Sequence, residues 1–249
     1  MDKLVYTAAT GLRAHMAAQA AIANNMANVS TTGFRADRVV FDRIILSDGT
    51  STVSARQPTG EEVRDIDRRQ GAIQSTGRPL DVALNSEDAW IAVQASDGSE
   101  AYTRRGDLQV SRLGTLETGD GHLVMGENGP ITLPPYSQLT IAQDGSIAIV
   151  APGDTGAPQI VDRLKLVSSK GSDTVKGLDN LMRVRGGGTL PANLDATVQS
   201  GALEGSNVNM TQALVDMIEN QRSYEVQASL LKEARSMDES SASVMRLPG

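Results

Sequence analysis

There is no cysteine in this sequence, which excludes disulfide staples, thiolate metal sites and cysteine nucleophiles. Aromatic residues make up only 3% of the chain, with a single tryptophan at position 90. That leaves little for a sugar-stacking platform or a ligand cage, and Trp90 is expected in a core. Histidine occurs twice, as His15 and His122, a poor zinc site without cysteine; no metal site and no cofactor are expected. Basic residues number 23 against 30 acidic, so no basic face suits a phosphate backbone and nucleic acid is not an expected partner. No run of about 18 apolar residues is present to span a bilayer, so direct membrane insertion is not expected. No charged-then-apolar leader with a small-residue cleavage site opens the chain, and if the protein is exported, the expected route is not the ordinary secretory one.

Fragments that mimic catalytic motifs do not hold up. Asp154-Thr155-Gly156 has the look of an aspartic-protease loop, in which two copies would share a proton between paired carboxylates. It follows Ala151-Pro152-Gly153, an exposed-turn sequence, where the chemistry needs a buried apolar strand. Ser229 and Lys232 form Ser-x-x-Lys, yet the partner motifs of an acyl-enzyme are missing. No Gly-x-Ser-x-Gly elbow occurs, and the glycines cluster with Asp and Asn as turn formers, unlike a phosphate cradle. The acids Glu61, Glu62, Asp65 and Asp67 alternate with arginines as a solvated face. No catalytic residues are expected.

What the chain does carry is an apolar stripe at each end. Val5, Leu12, Gln19 and Met26 stand seven apart, with Ala8, His15, Ile22 and Val29 as a companion row, and Ala9, Met16 and Ala23 widen the band. This spacing keeps one helix face in register with a partner helix. The helix is expected to stop at Ser30-Thr31-Thr32-Gly33, where Gly33 can turn left-handed. The second stripe places Met210, Met217, Tyr224 and Leu231 seven apart, followed by Leu214, Gln221, Ala228 and Arg235, with Ile218, Val226 and Leu230 broadening it. Ser206-Asn207 supply candidate capping side chains. The stripes suit either a hairpin over the monomer's own core or a surface shared with copies of the chain; periodicity alone does not choose. Residues 1–46 carry five basic and three acidic side chains, and residues 204–249 four basic and seven acidic, a weak bias toward pairing of the ends.

Between the helices the texture changes twice. Residues 34–70 are mixed and charged, with the Ser/Thr-rich stretch Ser47-Asp48-Gly49-Thr50-Ser51-Thr52, and read as an extended arm or linker of low order. From Gly71, short apolar runs at 80–84, 90–93 and 147–150 alternate with the hairpin dipeptides Asp97-Gly98, Asp120-Gly121, Asn128-Gly129 and Asp144-Gly145. Loops are expected at 151–158 and 186–188, with strands at 163–167 and 181–184. The predicted fold class is α+β: terminal helices pairing as a coiled-coil layer around a central, mostly-β domain. The expected divisions are an N-terminal assembly helix at 1–33, the arm at 34–70, the β-rich domain at 71–200 and a C-terminal assembly helix at 201–249.

Several blocks resemble one family. Ala23-Asn24-Asn25-Met26-Ala27-Asn28-Val29-Ser30-Thr31-Thr32-Gly33-Phe34-Arg35 is similar to the N-terminal signature of the bacterial flagellar rod and hook family. Thr76-Gly77-Arg78-Pro79-Leu80-Asp81-Val82-Ala83 and Tyr102-Thr103-Arg104-Arg105-Gly106-Asp107, with Gly114-Thr115-Leu116, agree with it. So do Gly201-Ala202-Leu203-Glu204-Gly205-Ser206-Asn207-Val208 and Arg222-Ser223-Tyr224-Glu225. The opening Tyr6-Thr7-Ala8-Ala9-Thr10-Gly11 and the length are most similar to the family's proximal-rod branch of the F type, with the distal rod as the near alternative. One departure is Ser86-Glu87-Asp88-Ala89-Trp90, where relatives place a glycine followed by two aromatics.

The resemblance implies a structural subunit of the flagellar rod, with no enzymatic activity. It implies passage through the flagellar type III export apparatus without a cleaved signal peptide, and assembly in the periplasm with copies of itself and other rod proteins. The peptidoglycan-layer ring is a further candidate partner. The terminal helices would form an inner layer around the axial channel and transmit torque. The expected assembly interface comprises Val5, Ala8, Leu12, Ile22, Asn24, Asn25, Met26, Asn28, Gly33, Phe34, Asn207, Met210, Leu214, Met217, Ile218, Tyr224 and Leu231. Asn24, Asn25 and Asn28 are expected to offer their amides to a neighbouring subunit's backbone and fix register. The alternative from another class is a secreted binding or aspartic-type hydrolytic domain with a helical dimerisation stalk.

Overall fold

Both apolar stripes lie on helices. The computed structural model of the chain describes residues 2–43, 59–153 and 157–245. In chain order its elements are α1 (Asp2–Ala27), β1 (Asp37–Arg43), β2 (Thr59–Ile66), β3 (Ile73–Ser75), β4 (Val82–Leu84), β5 (Ala89–Gln94), β6 (Glu100–Thr103), β7 (Leu108–Val110), β8 (Leu116–Thr118), β9 (Leu123–Gly126) and β10 (Gly129–Pro130). They continue with β11 (Gln138–Ile141), β12 (Ser146–Val150), β13 (Gln159–Arg163), β14 (Leu166–Ser168), β15 (Thr174–Lys176), β16 (Met182–Val184), β17 (Val198–Ser200), β18 (Ala202–Glu204) and α2 (Met210–Met245). The fold is therefore α+β, with a mostly-β middle. The chain divides into two compact units, one of residues 1–27, 37–65 and 209–249, the other of residues 28–36 and 66–208.

In the helical unit, α1 and α2 pack side by side. His15 meets Asn220, and the Gln227 side chain fills the space where a Cβ on Gly11 would stand. As numbers rise along α1 they fall along α2, so the pair is antiparallel. Ala8 and Ala213 are buried, small residues that let helices approach closely. Asn209 caps α2, its Oδ1 accepting the Gln212 N–H at 3.1 Å, which satisfies one of the orphan donors of the first turn. The expected caps Ser206 and Asn207 lie too early in the chain: Ser206 accepts from the Val208 N–H, and Asn207 is used inside the β unit. Similarly, α1 has already ended at Ala27, so the left-handed turn at Gly33 does not terminate it.

Strands border the segment read from sequence as an arm. β1 and β2 pair as a two-stranded sheet; Val39, Val40 and Phe41 are strand formers, which outweigh the surrounding charge. Phe34 and Ile66 are buried. The Ser/Thr-rich stretch from Ser47 to Thr52 lies outside the described residues.

The β unit is built on a nine-stranded sheet in the order β15-β16-β6-β5-β9-β8-β7, with β10 on β9 and β14 on β5. β11-β12-β13 form a second sheet, and the ribbons β17-β4 and β18-β3 complete the unit. All four hairpin dipeptides sit at strand connections, as their turn chemistry predicts. The run at 163–167 is split, β13 ending at Arg163 and β14 starting at Leu166. Period-two burial is clear in β12, where Ile147 and Ile149 point inward. The main core joins Val82, Leu84, Ile91, Val93, Leu108, Leu116, Val124 and Ile131 among others; each fully buried aliphatic of this kind stabilises by about 1.5–3 kcal/mol. Trp90 is core as expected and donates its Nε1–H to Ser169 Oγ at 3.0 Å.

Candidate assembly site

Most of the apolar side chains along α2 are not covered by the chain itself. Met210, Leu214, Val215, Ile218, Tyr224, Val226, Leu230 and Met237 range from 38% exposed at Tyr224 to 62% at Val226 and Met237. On α1, Met16 is 61% exposed. Scattered apolar residues on a surface need no explanation, but Met210, Leu214, Ile218 and Tyr224 fall within about 120° of one face of α2, and such a cluster on a long helix marks a docking surface. Met217 and Leu231 are half-buried, as are Leu12, Ile22 and Met26 on α1. The side chain of Val5 lies outside the described residues.

A groove of about 380 Å³ runs between the helices, lined by His15, Met16, Gln19, Ala20, Ala23, Asn220, Gln221 and Tyr224. Asn220 is its polar centre. His15 Nδ1–H donates to Asn220 Oδ1 at 2.7 Å, while Asn220 Nδ2–H donates to the His15 carbonyl at 3.0 Å and to Gln19 Oε1 at 2.8 Å. A satisfied polar cluster on an otherwise apolar seam fixes register, because sliding the helices would strand those groups.

The asparagines at the end of α1 make hydrogen bonds within the chain. Asn25 Nδ2–H donates to the Asp37 carbonyl at 3.0 Å and its Oδ1 accepts the Asp37 N–H at 2.7 Å, while Asn24 donates to the Asp37 carboxylate at 2.5 Å. Asn25 thus treats the start of β1 as one strand treats another. Asn28 Oδ1 accepts from Thr31 Oγ1.

In the β unit a second set of residues ties together segments distant in sequence. Asn207 Oδ1 accepts the Ala36 N–H at 2.8 Å, and its Nδ2 donates to the carbonyls of Asp67 and Arg69 at 2.8 and 2.9 Å. Three of the four hydrogen bonds open to one short amide go to backbone. Gly33 donates its N–H to the Glu204 carbonyl at 2.8 Å. Its φ is +66°, and a Cβ there would lie 2.5 Å from the Arg104 carbonyl; only glycine fits this approach without strain. Phe34 is buried beneath Lys176, whose Nζ sits 3.8 Å from the ring centre and donates to the Arg35 carbonyl at 2.9 Å.

At the centre of that set lies an Arg–Glu–Arg cluster. Glu204, fully buried, accepts from Arg104 Nε at 2.8 Å and from the Gly71 N–H at 2.9 Å, and Arg35 Nη1 lies 2.5 Å from its Oε1. Arg104 also donates to the carbonyls of Ser86, Glu87 and Ala89. Burial lowers both guanidinium pKa values, and for Arg35 the neighbouring Arg104 lowers it further. The local chain around Ser86-Glu87-Asp88 is thus held by an arginine, in place of the turn that a glycine would make. Arg35, Arg104 and Glu204 stand in three separate blocks of the sequence, and no local pattern signals their convergence.

Among the described residues, the side chains singled out as mimics of catalytic motifs do not come together. Ser229 and Lys232 are exposed on α2, His15 and His122 lie in different units, and no cluster of three or more potential metal ligands occurs among the described residues. Asp154-Thr155-Gly156 lies outside the described residues. No described helix is long and apolar enough to cross a membrane.

Three family models match the chain in order. Residues 5–35 match the model described as flagella basal body rod protein, 86–149 that of the flagellar hook protein FlgE/F/G D1 domain, and 199–244 that of the flagellar basal body rod FlgEFG protein C-terminal. The chain is 42% identical over 240 residues to the flagellar basal-body rod protein FlgF of Salmonella typhimurium, covering 93% of both chains. The same identity and coverage hold for FlgF of Escherichia coli. Against FlgG of Bacillus subtilis it is 30% identical over 257 residues, covering 93% of this chain and 94% of that one.

Proposed function

Since the chain belongs to the family of bacterial flagellar basal-body rod proteins, we propose that it joins the rod through the uncovered face of its helix pair, with α1 and α2 forming a coiled-coil layer that neighbouring subunits complete. It is a structural subunit of the flagellar basal-body rod and not an enzyme. Its assembly partners are other rod proteins. The higher identity to FlgF than to FlgG favours a place in the proximal rod.

The observation that carries the reading is the exposed apolar row on α2, from Met210 through Leu214 and Ile218 to Tyr224. Left in water it is a liability; covered by neighbouring helices, each residue regains most of its transfer free energy. Leu12, Ile22, Met26, Met217 and Leu231 supply the half-covered edge of the same surface, with the buried Ala8 beside them; the side chain of Val5 lies outside the described residues. Asn24, Asn25, Asn28, Gly33, Phe34 and Asn207 shape the chain where it enters and leaves the helices, so that this surface is presented in one register. The rod then encloses the axial channel and transmits torque by helix-to-helix contact. Delivery through the flagellar type III export apparatus to the periplasm, and contact with the peptidoglycan-layer ring, complete the proposal.

The test is to place Leu214→Asp and Ile218→Asp together in motile cells and purify basal bodies. The proposal expects subunits that are made and exported at normal levels but absent from a rod that stops early. Full-length rods containing the variant would overturn it.

A further inference from the structure

The chain has no cysteine, so its nine methionines are its only sulfur. Burial sorts those whose side chains are described. Met182 is 3% exposed in the β unit, and Met26, Met125 and Met217 are half-buried. Met16, Met210 and Met237 stand out at 61%, 42% and 62%. Of these three, Met16 is the one in the groove between α1 and α2, where it shares the wall with Ala20, Ala23 and Tyr224. The amide at the groove's centre has no donor to spare: Asn220 Nδ2 gives one N–H to the His15 carbonyl and the other to Gln19 Oε1.

A thioether open to water is a target for peroxides, and its sulfoxide is polar where the thioether was apolar. We propose that Met16 is an oxidation site, with hydrogen peroxide as the oxidant, and that its sulfoxide keeps a neighbouring subunit from covering the groove. In the step, the sulfur lone pair takes one peroxide oxygen and the O–O bond breaks. The departing hydroxide collects the transferred oxygen's proton and leaves as water, so sulfur is oxidised by two electrons and the peroxide is reduced. The new oxygen is a hydrogen-bond acceptor. In the free subunit water serves it; beneath a neighbour's helix it is shut in beside an amide whose N–H groups are both taken, which lowers affinity about tenfold or more. Oxidation thus acts on subunits not yet assembled, and assembly shields the sulfur. Sulfoxide reductases reverse the step. The inference rests on the assembly reading above for the neighbour that covers the groove, whereas the reactivity of the sulfur follows from its exposure alone.

The experiment has two arms. In the first, the dilute full chain and purified basal bodies containing it meet the same dose of hydrogen peroxide, and peptide mass spectrometry follows the gain of one oxygen at each methionine. Met16 is expected to oxidise several-fold faster than the buried Met182 in the dilute chain and to slow to the Met182 rate in basal bodies. In the second, motile cells carry Met16→Leu, apolar and without sulfur, or Met16→Gln, a polar stand-in for the sulfoxide; both keep a good helix former at the position. Met16→Leu is expected in basal bodies at the wild-type level and Met16→Gln at about a tenth of it or less. Met16 as slow as Met182 in the dilute chain, or as fast in basal bodies as in the dilute chain, overturns the proposal, and so does Met16→Gln incorporated as well as Met16→Leu. Any of these results beside a rod still stopped by Leu214→Asp with Ile218→Asp removes the oxidation site and leaves the assembly reading standing.

Discussion

Asn220 and His15 meet twice, the histidine Nδ1–H on the asparagine Oδ1 at 2.7 Å and the asparagine Nδ2–H on the histidine carbonyl at 3.0 Å. One side chain of α2 therefore holds both backbone and side chain of α1. Asn220→Ala is expected to weaken the helical unit by about 1–2 kcal/mol, the cost of leaving these partners unmet. Circular dichroism in denaturant should report the loss. Trp90 fluorescence, which reports the β unit, should not change.

Gly33→Ala forces a side chain into the space beside the Arg104 carbonyl at a left-handed φ. The strain alone costs about 1–3 kcal/mol, and the clash adds to it. Here the Trp90-reported transition should fall, the opposite of the Asn220 result.

Glu204→Gln keeps shape but removes the carboxylate that pairs with both buried guanidiniums. Breaking a buried ion cluster from its central member costs about 3–5 kcal/mol. Urea unfolding by Trp90 fluorescence measures it, and a loss below that of Arg35→Met would contradict the account of Glu204 as the hub.

Tyr102 is buried, its hydroxyl accepting the Leu190 N–H at 2.5 Å and donating to Glu100 Oε1 at 3.0 Å. Burial chiefly, with the Glu100 charge adding to it, raises its pKa from 10.0 to about 12. The folded chain holds that proton more tightly than the unfolded one, so the contribution is whole below about pH 10 and is lost as pH rises to about 12. Tyr102→Phe should flatten the fall in stability over that window, while costing about 1–3 kcal/mol at neutral pH for the unmet Leu190 N–H.

The parts of the fold visible in sequence are those with a local period or a fixed turn chemistry. The helix α2 is legible because Met210, Met217, Tyr224 and Leu231 repeat at helical spacing, and the hairpins because Asp-Gly and Asn-Gly admit few alternatives. Arg104 and Glu204 stand 100 residues apart, and no pattern announces that they will share a buried site. Asn207 looked like a cap because Asn before a helix usually is one; the fold instead spends its amide on three backbone partners, and Asn209 takes over the cap. The same holds for Asn25, whose polar capacity goes to Asp37. Side chains with several donors and acceptors are the least readable, because tertiary contacts decide which are used.

The most direct test of the account is amide hydrogen exchange along α2, compared between the dilute subunit and purified rods. Assembly through the uncovered face predicts α2 amides that exchange readily in the subunit and slow by about a hundredfold or more in the rod, with the core strand β5 unchanged. Amides of α2 already as slow in the dilute subunit as in the rod would contradict it.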